Sequence, residues 1–255
     1  MSFHYTWVLW AGAFLVPWFA LYLGNPSMRR VMVRTSLVTA VFGLTEPIFV
    51  PSYWLPPSLF DLAQRTRFDI ESFIFSFAIG GIGVVLYNAL TRTHLTPFPA
   101  TSHAEPLHRF HRIALAVPAL AFLPLALLPW NAIYAAIVAL VVGSIASLAC
   151  RPSLLRRTFL GGMLFLALYS LFMFGLSLSA PGYIAQVWNL PALSGVLLRD
   201  IPLEEFLFGM AFGLYWSSVY EHLTWTHSVA HVARPSITRV ATHTGVRGPP
   251  ASGDK

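Results

Sequence analysis

Charged residues, cysteine and lysine are scarce in this sequence. Only 10% of the 255 residues are charged, Cys150 is the single cysteine and Lys255 is the only lysine. A soluble domain of this size carries about a quarter charged residues. One cysteine excludes an intrachain disulfide framework and a cysteine-rich metal site. The sequence also lacks a Gly-rich phosphate loop, a CxxC motif and a Ser/His/Asp arrangement, which are the usual evidence for several enzyme classes.

Long apolar runs are abundant instead, since 56% of the residues are hydrophobic. Runs of about 20 apolar residues predict transmembrane helices, which satisfy their own backbone hydrogen bonds in lipid. We therefore predict an all-α integral membrane bundle, with the first helix not cleaved as a signal peptide because no basic region precedes it. The seven predicted spans are about 4–23, 31–50, 70–90, 113–129, 131–149, 158–180 and 201–222.

The arginines predict the orientation of the bundle. The loops after the first, third and fifth spans hold nine arginines, whereas the opposite loops hold three. By the positive-inside rule, the N-terminus lies outside and the C-terminus inside, in a multi-pass protein of the cytoplasmic membrane. We therefore expect the arginines behind the net charge of +6 to orient the protein in the membrane and to contact lipid headgroups. We predict the lipid bilayer, and no nucleic acid, as a partner.

An internal repeat relates the third and seventh spans. Over residues 71–94, ten of 24 residues are identical to those found 133 positions later. The same unit of three helices is therefore predicted twice in parallel orientation. The predicted divisions are a first three-helix repeat at 1–95, a loop and linker helix at 96–130, a second three-helix repeat at 131–228 and a disordered cytoplasmic tail at 229–255.

Four glutamates are the candidate catalytic residues. Glu204 and Glu205 begin the seventh span, Glu71 is the repeat equivalent of Glu204, and Glu46 lies inside the second span. A carboxyl group in apolar surroundings is costly unless it is capped, paired or used. Apolar surroundings and mutual repulsion favour the protonated form of one of them. Helix capping remains open for Glu204, and a position near the outer interface remains open for Glu46.

Aromatic residues near these acids are the candidate substrate-binding residues. Their ring faces attract cations, so they suit a reaction that passes through a carbocation. An alternative for the two loop tryptophans is the aromatic belt at the membrane interface. The candidates are Phe75, Phe208, Phe212, Tyr215, Trp216, Trp54 and Trp188.

Histidine pairs occur at His108/His111 and His227/His231, but they lack the repeated clusters of membrane diiron enzymes. We predict no metal site. No cofactor is required by the sequence, which leaves the need for a reduced nucleotide cofactor open.

The segment Pro202-Leu203-Glu204-Glu205-Phe206-Leu207-Phe208, in a tandem three-helix unit, resembles the membrane-integral lycopene cyclase domain family. That family comprises the bacterial heterodimeric and the archaeal and fungal fused carotenoid cyclases. The resemblance implies an isomerase that cyclises the ends of a linear carotenoid or isoprenoid without net redox change, through a carbocation. It covers most of residues 1–225.

The resemblance also implies roles for the acids. Glu204 or Glu205 would donate a proton, Glu71 would act as a second acid or base, and Glu46 would support them. The first repeat, Asp69-Ile70-Glu71-Ser72, departs from the family pattern because it lacks the proline and the second glutamate.

Two other functions stay open from the sequence. One is a non-catalytic membrane protein that binds a carotenoid or lipid, or serves as a partner subunit. The other is a small proton-coupled transporter, since parallel repeats and membrane carboxylates also occur there. Association with a second copy or with carotenoid-pathway enzymes is likewise open.

Overall fold

The computed structural model describes residues 3–97 and 111–230, and α-helices dominate it. Residues 231–255 of the predicted tail (229–255) and the segment 98–110 lie outside the described residues, whereas 229 and 230 belong to a strand. The helices are α1 Thr6–Ala13, α2 Leu15–Gly24, α3 Arg29–Ala40, α4 Glu46–Phe49, α5 Leu62–Thr66, α6 Ile70–Thr91, α7 His111–Leu125, α8 Ala132–Cys150, α9 Leu155–Ser179, α10 Tyr183–Val187 and α11 Leu203–Thr224. The strands are β1 Thr93–Pro97, β2 Leu197–Leu198, β3 Ile201–Pro202 and β4 Thr226–Ala230.

Several helical stretches are long and apolar enough to cross a membrane, and the protein is therefore a membrane protein. In the described part of the chain there are five of them: Thr6–Gly24, Pro26–Phe49, Ile70–Thr91, Ala132–Cys150 and Pro152–Ser179. Helix α7 has 15 residues and is shorter. Helix α11 is as long as α6, but its three glutamates lower its mean hydropathy.

The prediction of a mainly helical fold is confirmed. The prediction that the fold is entirely α-helical is wrong in detail, because the described part of the chain also contains four short strands. Strands β1 and β4 pair in antiparallel fashion, with His94 opposite Val229 and Thr96 opposite His227. Strands β2 and β3 form a second short pair just before α11. Chain segments that leave a helix still carry unpaired N–H and C=O groups, and the strand pairing satisfies them.

Each half of the chain packs its last long helix against the preceding one. Helix α6 packs on α3, and helix α11 packs on α9. A Cβ atom at Gly80 on α6 would collide with Thr39 on α3, and one at Gly213 on α11 would collide with Phe165 on α9. These two glycines are equivalent in the predicted repeat. They allow the close helix approach that small residues give in membrane proteins.

The two long loops meet at one end of the bundle, called the loop end here because residues 50–69 and 180–202 form it. Trp54 and Trp188 form an antiparallel β-bridge, and their rings lie 5.3 Å apart. The backbone N–H of Leu55 donates to the carbonyl of Val187 over 2.9 Å. The loop end therefore joins the two halves of the chain directly.

A buried ion pair of the second half lies at the opposite end and is hydrogen-bonded to the first half. Arg157 on α9 pairs with Glu221 on α11 and donates to Asn88 Oδ1 on α6 over 2.7 Å. Both charged side chains are almost fully buried. Arg157 thereby ties the last helices of the two halves together beside β1 and β4.

Candidate active site

A cavity of about 510 Å³ lies between the two halves and is lined by helices from both. Its wall includes exposed Phe42 and Leu123, so the cavity reaches the lipid-facing surface between the end of α3 and helix α7. Two carboxyl groups line it among the described residues, those of Glu46 and Glu205. The cavity is therefore largely apolar and contains two carboxyl groups.

Glu205 is held by three hydrogen-bond donors from three different segments. Tyr53 donates to Oε1, Trp188 donates to Oε1 over 2.7 Å, and Tyr169 donates to Oε2 over 2.5 Å. The indole N–H is a donor only, and donors of this kind stabilise a carboxylate. Glu205 is thus fixed in orientation and suited to accept a proton.

Glu46 is held very differently. It lies at the first residue of α4 and is buried. The indole of Trp54 and the hydroxyl of Ser72 face its carboxyl group, yet its Oε1 has no hydrogen-bond partner within the described residues. Asp69 adds a negative charge nearby. A carboxyl group in such a setting is suited to carry a proton and to donate it.

Glu204 and Glu71 do not line the cavity, although both are buried. Glu204 accepts hydrogen bonds from Tyr134 over 2.6 Å and from the backbone N–H of Ser194 over 2.8 Å. Glu71 accepts one from the backbone N–H of Leu59 over 2.7 Å. Each of the two repeat-equivalent acids therefore holds the loop that precedes its own helix.

All seven aromatic candidates line the cavity. Phe208, Phe212, Tyr215 and Trp216 follow Glu205 along one side of α11. The other three, Phe75, Trp54 and Trp188, come from α6 and the loop end. Rings on several sides of one apolar space are arranged to attract a cationic intermediate.

Burial shifts the pKa values of ionisable groups at the loop end. Burial, followed by the negative charge of Glu205, raises the pKa of Tyr53 well above its usual value. Burial also raises the pKa of Asp69, whereas hydrogen bonds from Ser72 and from Trp7 lower it. Tyr53 therefore remains a neutral hydroxyl that can donate to Glu205.

The structure adds site residues that the sequence patterns miss. Tyr53 and Tyr169 contact Glu205 but lie 152 and 36 residues away from it in the chain. The adjacency of Tyr53 to Trp54 is the only signal in the sequence for the first of them. Tyr169 lies in the middle of an apolar span, where a buried hydroxyl needs a partner.

A separate cluster joins His111, Cys150 and His222, whose candidate ligand atoms lie within 4.8 Å of one another. The rings of His111 and His222 are stacked, with centroids 4.2 Å apart and planes 22° apart. His111 is stacked on Trp225 as well. Two imidazoles that bind one ion point their ring edges at it. The nearly parallel rings of His111 and His222 are instead stacked face to face.

Part of the second half of the chain is similar to a known family. Residues 131–223 match the family model described as lycopene cyclase. The match runs from the residue before α8 to the last turn of α11 and includes Glu204, Glu205, Tyr169 and Trp188. No curated protein and no solved structure matches the chain.

Proposed function

Since residues 131–223 match the lycopene cyclase family, we propose that this membrane protein cyclises the end of a linear carotenoid or related isoprenoid. The observation that carries this proposal is the pair of unlike carboxyl groups, Glu46 and Glu205, in one aromatic cavity. In this proposal one group gives a proton and the other takes one. That is what a redox-neutral cyclisation requires.

The proposed reaction conserves atoms and electrons. The Glu46 carboxyl group protonates the terminal C=C bond and leaves a tertiary carbocation. The neighbouring double bond attacks the cation, so a C–C bond closes the ring and the cation moves into it. Glu205 removes a proton from the ring and restores a double bond, so the product is an isomer of the substrate.

These roles differ from those expected from the sequence, in which Glu204 or Glu205 was the donor. We assign Glu204 and Glu71 to holding the loops, because each accepts a backbone N–H from the loop before its helix. Tyr53, Tyr169 and Trp188 are positioning residues, because they act through Glu205.

The substrate would enter from the bilayer, with one end first. A cavity of about 510 Å³ lies within the range of small-molecule sites, about 300–1,000 Å³. A rigid polyene of forty carbons is longer than such a cavity is wide. The exposed edge between Phe42 and Leu123 leaves a route for the rest of the chain into lipid.

The proposed architecture has seven spans in two parallel repeats of three helices, at 1–95 and 131–228, joined by a linker helix. Helices α7 and α11 would be the spans beyond the five long apolar stretches. Gly80 and Gly213 support the repeat, since each sits where the last helix of its unit meets the preceding one. We keep the N-terminus outside and the C-terminus inside.

Expression in a bacterial host that accumulates lycopene tests the activity. Chromatography of the extracted pigments should reveal cyclic carotenoids in cells with the wild-type protein, and a colour change from red to yellow-orange. Retention of lycopene alone, with the protein present in the membrane, would exclude lycopene as the substrate. A bound but unchanged pigment in the purified protein would instead favour a non-catalytic carotenoid-binding protein.

A further inference from the structure

Five buried polar side-chain atoms, on Glu46, around the start of α6 and on α10, have no hydrogen-bond partner within residues 3–97 and 111–230. All five residues are at most 7% exposed. The atoms are Glu46 Oε1, Asp69 Oδ2, Glu71 Oε2, Ser72 Oγ and the hydroxyl oxygen of Tyr183. Leaving a buried polar atom without a partner destabilises the fold, so five such atoms need a common explanation.

Position in the chain and electrostatic interactions relate the five residues to one another between the cavity and the loop end. Glu46 and Ser72 both line the cavity. Asp69, Glu71 and Ser72 belong to the start of α6. Tyr183 interacts electrostatically with Asp69 and Glu71, and so does Asp69 with Glu46.

The outer end of the series lies close to the protein surface. The second oxygen of Glu71 accepts a hydrogen bond from the backbone N–H of Leu59. The next residue, Phe60, is 73% exposed. Glu71 is therefore bonded to a loop segment that reaches the surface, whereas Glu46 lies at the cavity.

Protein groups donate hydrogen bonds to one carboxylate oxygen of Asp69, and its other oxygen receives none from the described residues. Asp69 Oδ1 accepts from the backbone N–H of Ser72 over 2.5 Å and from the indole of Trp7 over 3.4 Å. Its Oδ2 is the atom without a partner. Buried water typically makes about three hydrogen bonds to polar groups that lack protein partners, and the five atoms supply such groups in sequence.

We propose that Glu71, Tyr183, Asp69 and Ser72, bridged by water, form a proton path that reloads Glu46 from the loop end. The inference rests on the proposed cyclisation, in which Glu46 becomes a carboxylate once it has given up its proton. A hydronium ion at the loop end supplies the replacement proton, and Glu205 releases the proton taken from the ring. One proton enters and one leaves per ring closure.

Two nearly isosteric variants interrupt the path while keeping the local structure. Asp69→Asn retains an oxygen that can accept from Ser72 and Trp7, but its amide does not carry an acidic proton. Tyr183→Phe removes the hydroxyl group and keeps the ring that packs edge-on against Phe3. The matched controls are Asp61→Asn and Tyr5→Phe, because both residues are exposed and lie outside the series.

Infrared spectroscopy of the protein in nanodiscs tests the path without catalysis. The protonated carboxyl band that disappears in Glu46→Gln reports Glu46, and transfer to D₂O reports its exchange. We expect exchange to slow by about tenfold or more in Asp69→Asn and Tyr183→Phe and to stay unchanged in both controls. Unchanged exchange in the two path variants, or absence of such a band in the wild type, would overturn the proposal.

Turnover kinetics with a carotenoid substrate give the second readout. The first ring closure should keep its rate in Asp69→Asn and Tyr183→Phe, since Glu46 starts protonated, whereas later turnovers should slow by about tenfold or more. Equal slowing of the first and later turnovers would contradict the path. If the wild type does not cyclise but exchange at Glu46 still slows in the variants, the proposed function fails and the proton path stands.

Discussion

The hydroxyl group of Tyr53 donates a hydrogen bond to Glu205, so the first half of the chain supports a carboxylate of the second half. Trp188 donates to the same carboxyl oxygen and is bridged to Trp54 beside Tyr53. The region that matches the lycopene cyclase family, 131–223, therefore lacks one of the donors on its own acid. We infer that both halves of the chain are needed to complete the site.

Removing one donor from Glu205 should impair the reaction more than binding. We expect Tyr53→Phe and Tyr169→Phe each to lower the rate of cyclisation by about tenfold or more, since a hydrogen bond to a charged group contributes about 1.5–3 kcal/mol. The rate of cyclisation by protein in nanodiscs, and pigment binding measured by absorbance, check this expectation. Tyr220→Phe is the control, because Tyr220 is on α11 but outside the cavity lining. Equal loss in all three variants would contradict the assigned role.

The adjacent acids Glu204 and Glu205 should respond differently to the same change. Glu205→Gln should remove activity and leave the protein folded, because the amide oxygen can still accept from Tyr53 and Trp188 and its NH2 group can donate to the Tyr169 hydroxyl, but an amide is not a base. Glu204→Gln should retain activity and lower the thermal unfolding temperature, because it weakens the contact with Tyr134 and Ser194. Pigment analysis and thermal unfolding separate the two effects. Loss of activity in Glu204→Gln at full stability would reverse the assignment.

Periodicity indicates much of the cavity wall but does not separate these two acids. Phe208, Phe212 and Trp216 recur at helical spacing and all line the cavity. Glu204 and Glu205 are one position apart, so they point about 100° from each other, and the packing of α11 decides which faces inward. Glu46 is buried in the structure; the sequence leaves both a buried position and one near the outer interface open for it.

Contacts between distant segments are what the sequence does not reveal. Tyr169 reaches Glu205 only because α9 packs on α11. The stack of His111 on His222 likewise depends on how α7 meets α11. Pairing of β1 with β4 follows from helix ends that the fold brings together. None of these contacts has a local pattern that a single sequence would reveal.

The close helix contacts predict opposite effects for two glycine substitutions. Gly80→Ala should destabilise the protein by about 1–3 kcal/mol, because the added methyl group collides with Thr39 on the adjacent helix. Gly12→Ala should be neutral or stabilise it by about 0.5–1 kcal/mol, because a Cβ there meets no atom within 4 Å. Thermal unfolding in nanodiscs measures both. Similar destabilisation by the two changes would argue against the α3–α6 contact.

The buried pair of Arg157 and Glu221 should matter far more than the exposed pair of Asp61 and Arg65. Glu221→Gln leaves Arg157 buried with an uncompensated charge, which we expect to cost about 3–5 kcal/mol. Asp61→Asn breaks a pair of mostly exposed side chains 3.7 Å apart and should leave the unfolding temperature unchanged. Equal unfolding temperatures for the two variants would show that Arg157 is not held by Glu221.

Deuterium incorporation tests most directly the central claim, that acid and base are separate groups in one cavity. Wild-type protein that cyclises lycopene in D₂O should add one deuterium to each ring, because the exchanged Glu46 donates it and Glu205 removes a different hydrogen. Separate roles also require that Glu205→Gln gives no cyclic product, since one group acting as both acid and base would leave one of the two variants active. Mass spectrometry of the cyclic product counts the deuterium, and Glu46→Gln should give no cyclic product. A cyclic product without deuterium, or full activity in Glu46→Gln, would contradict the account.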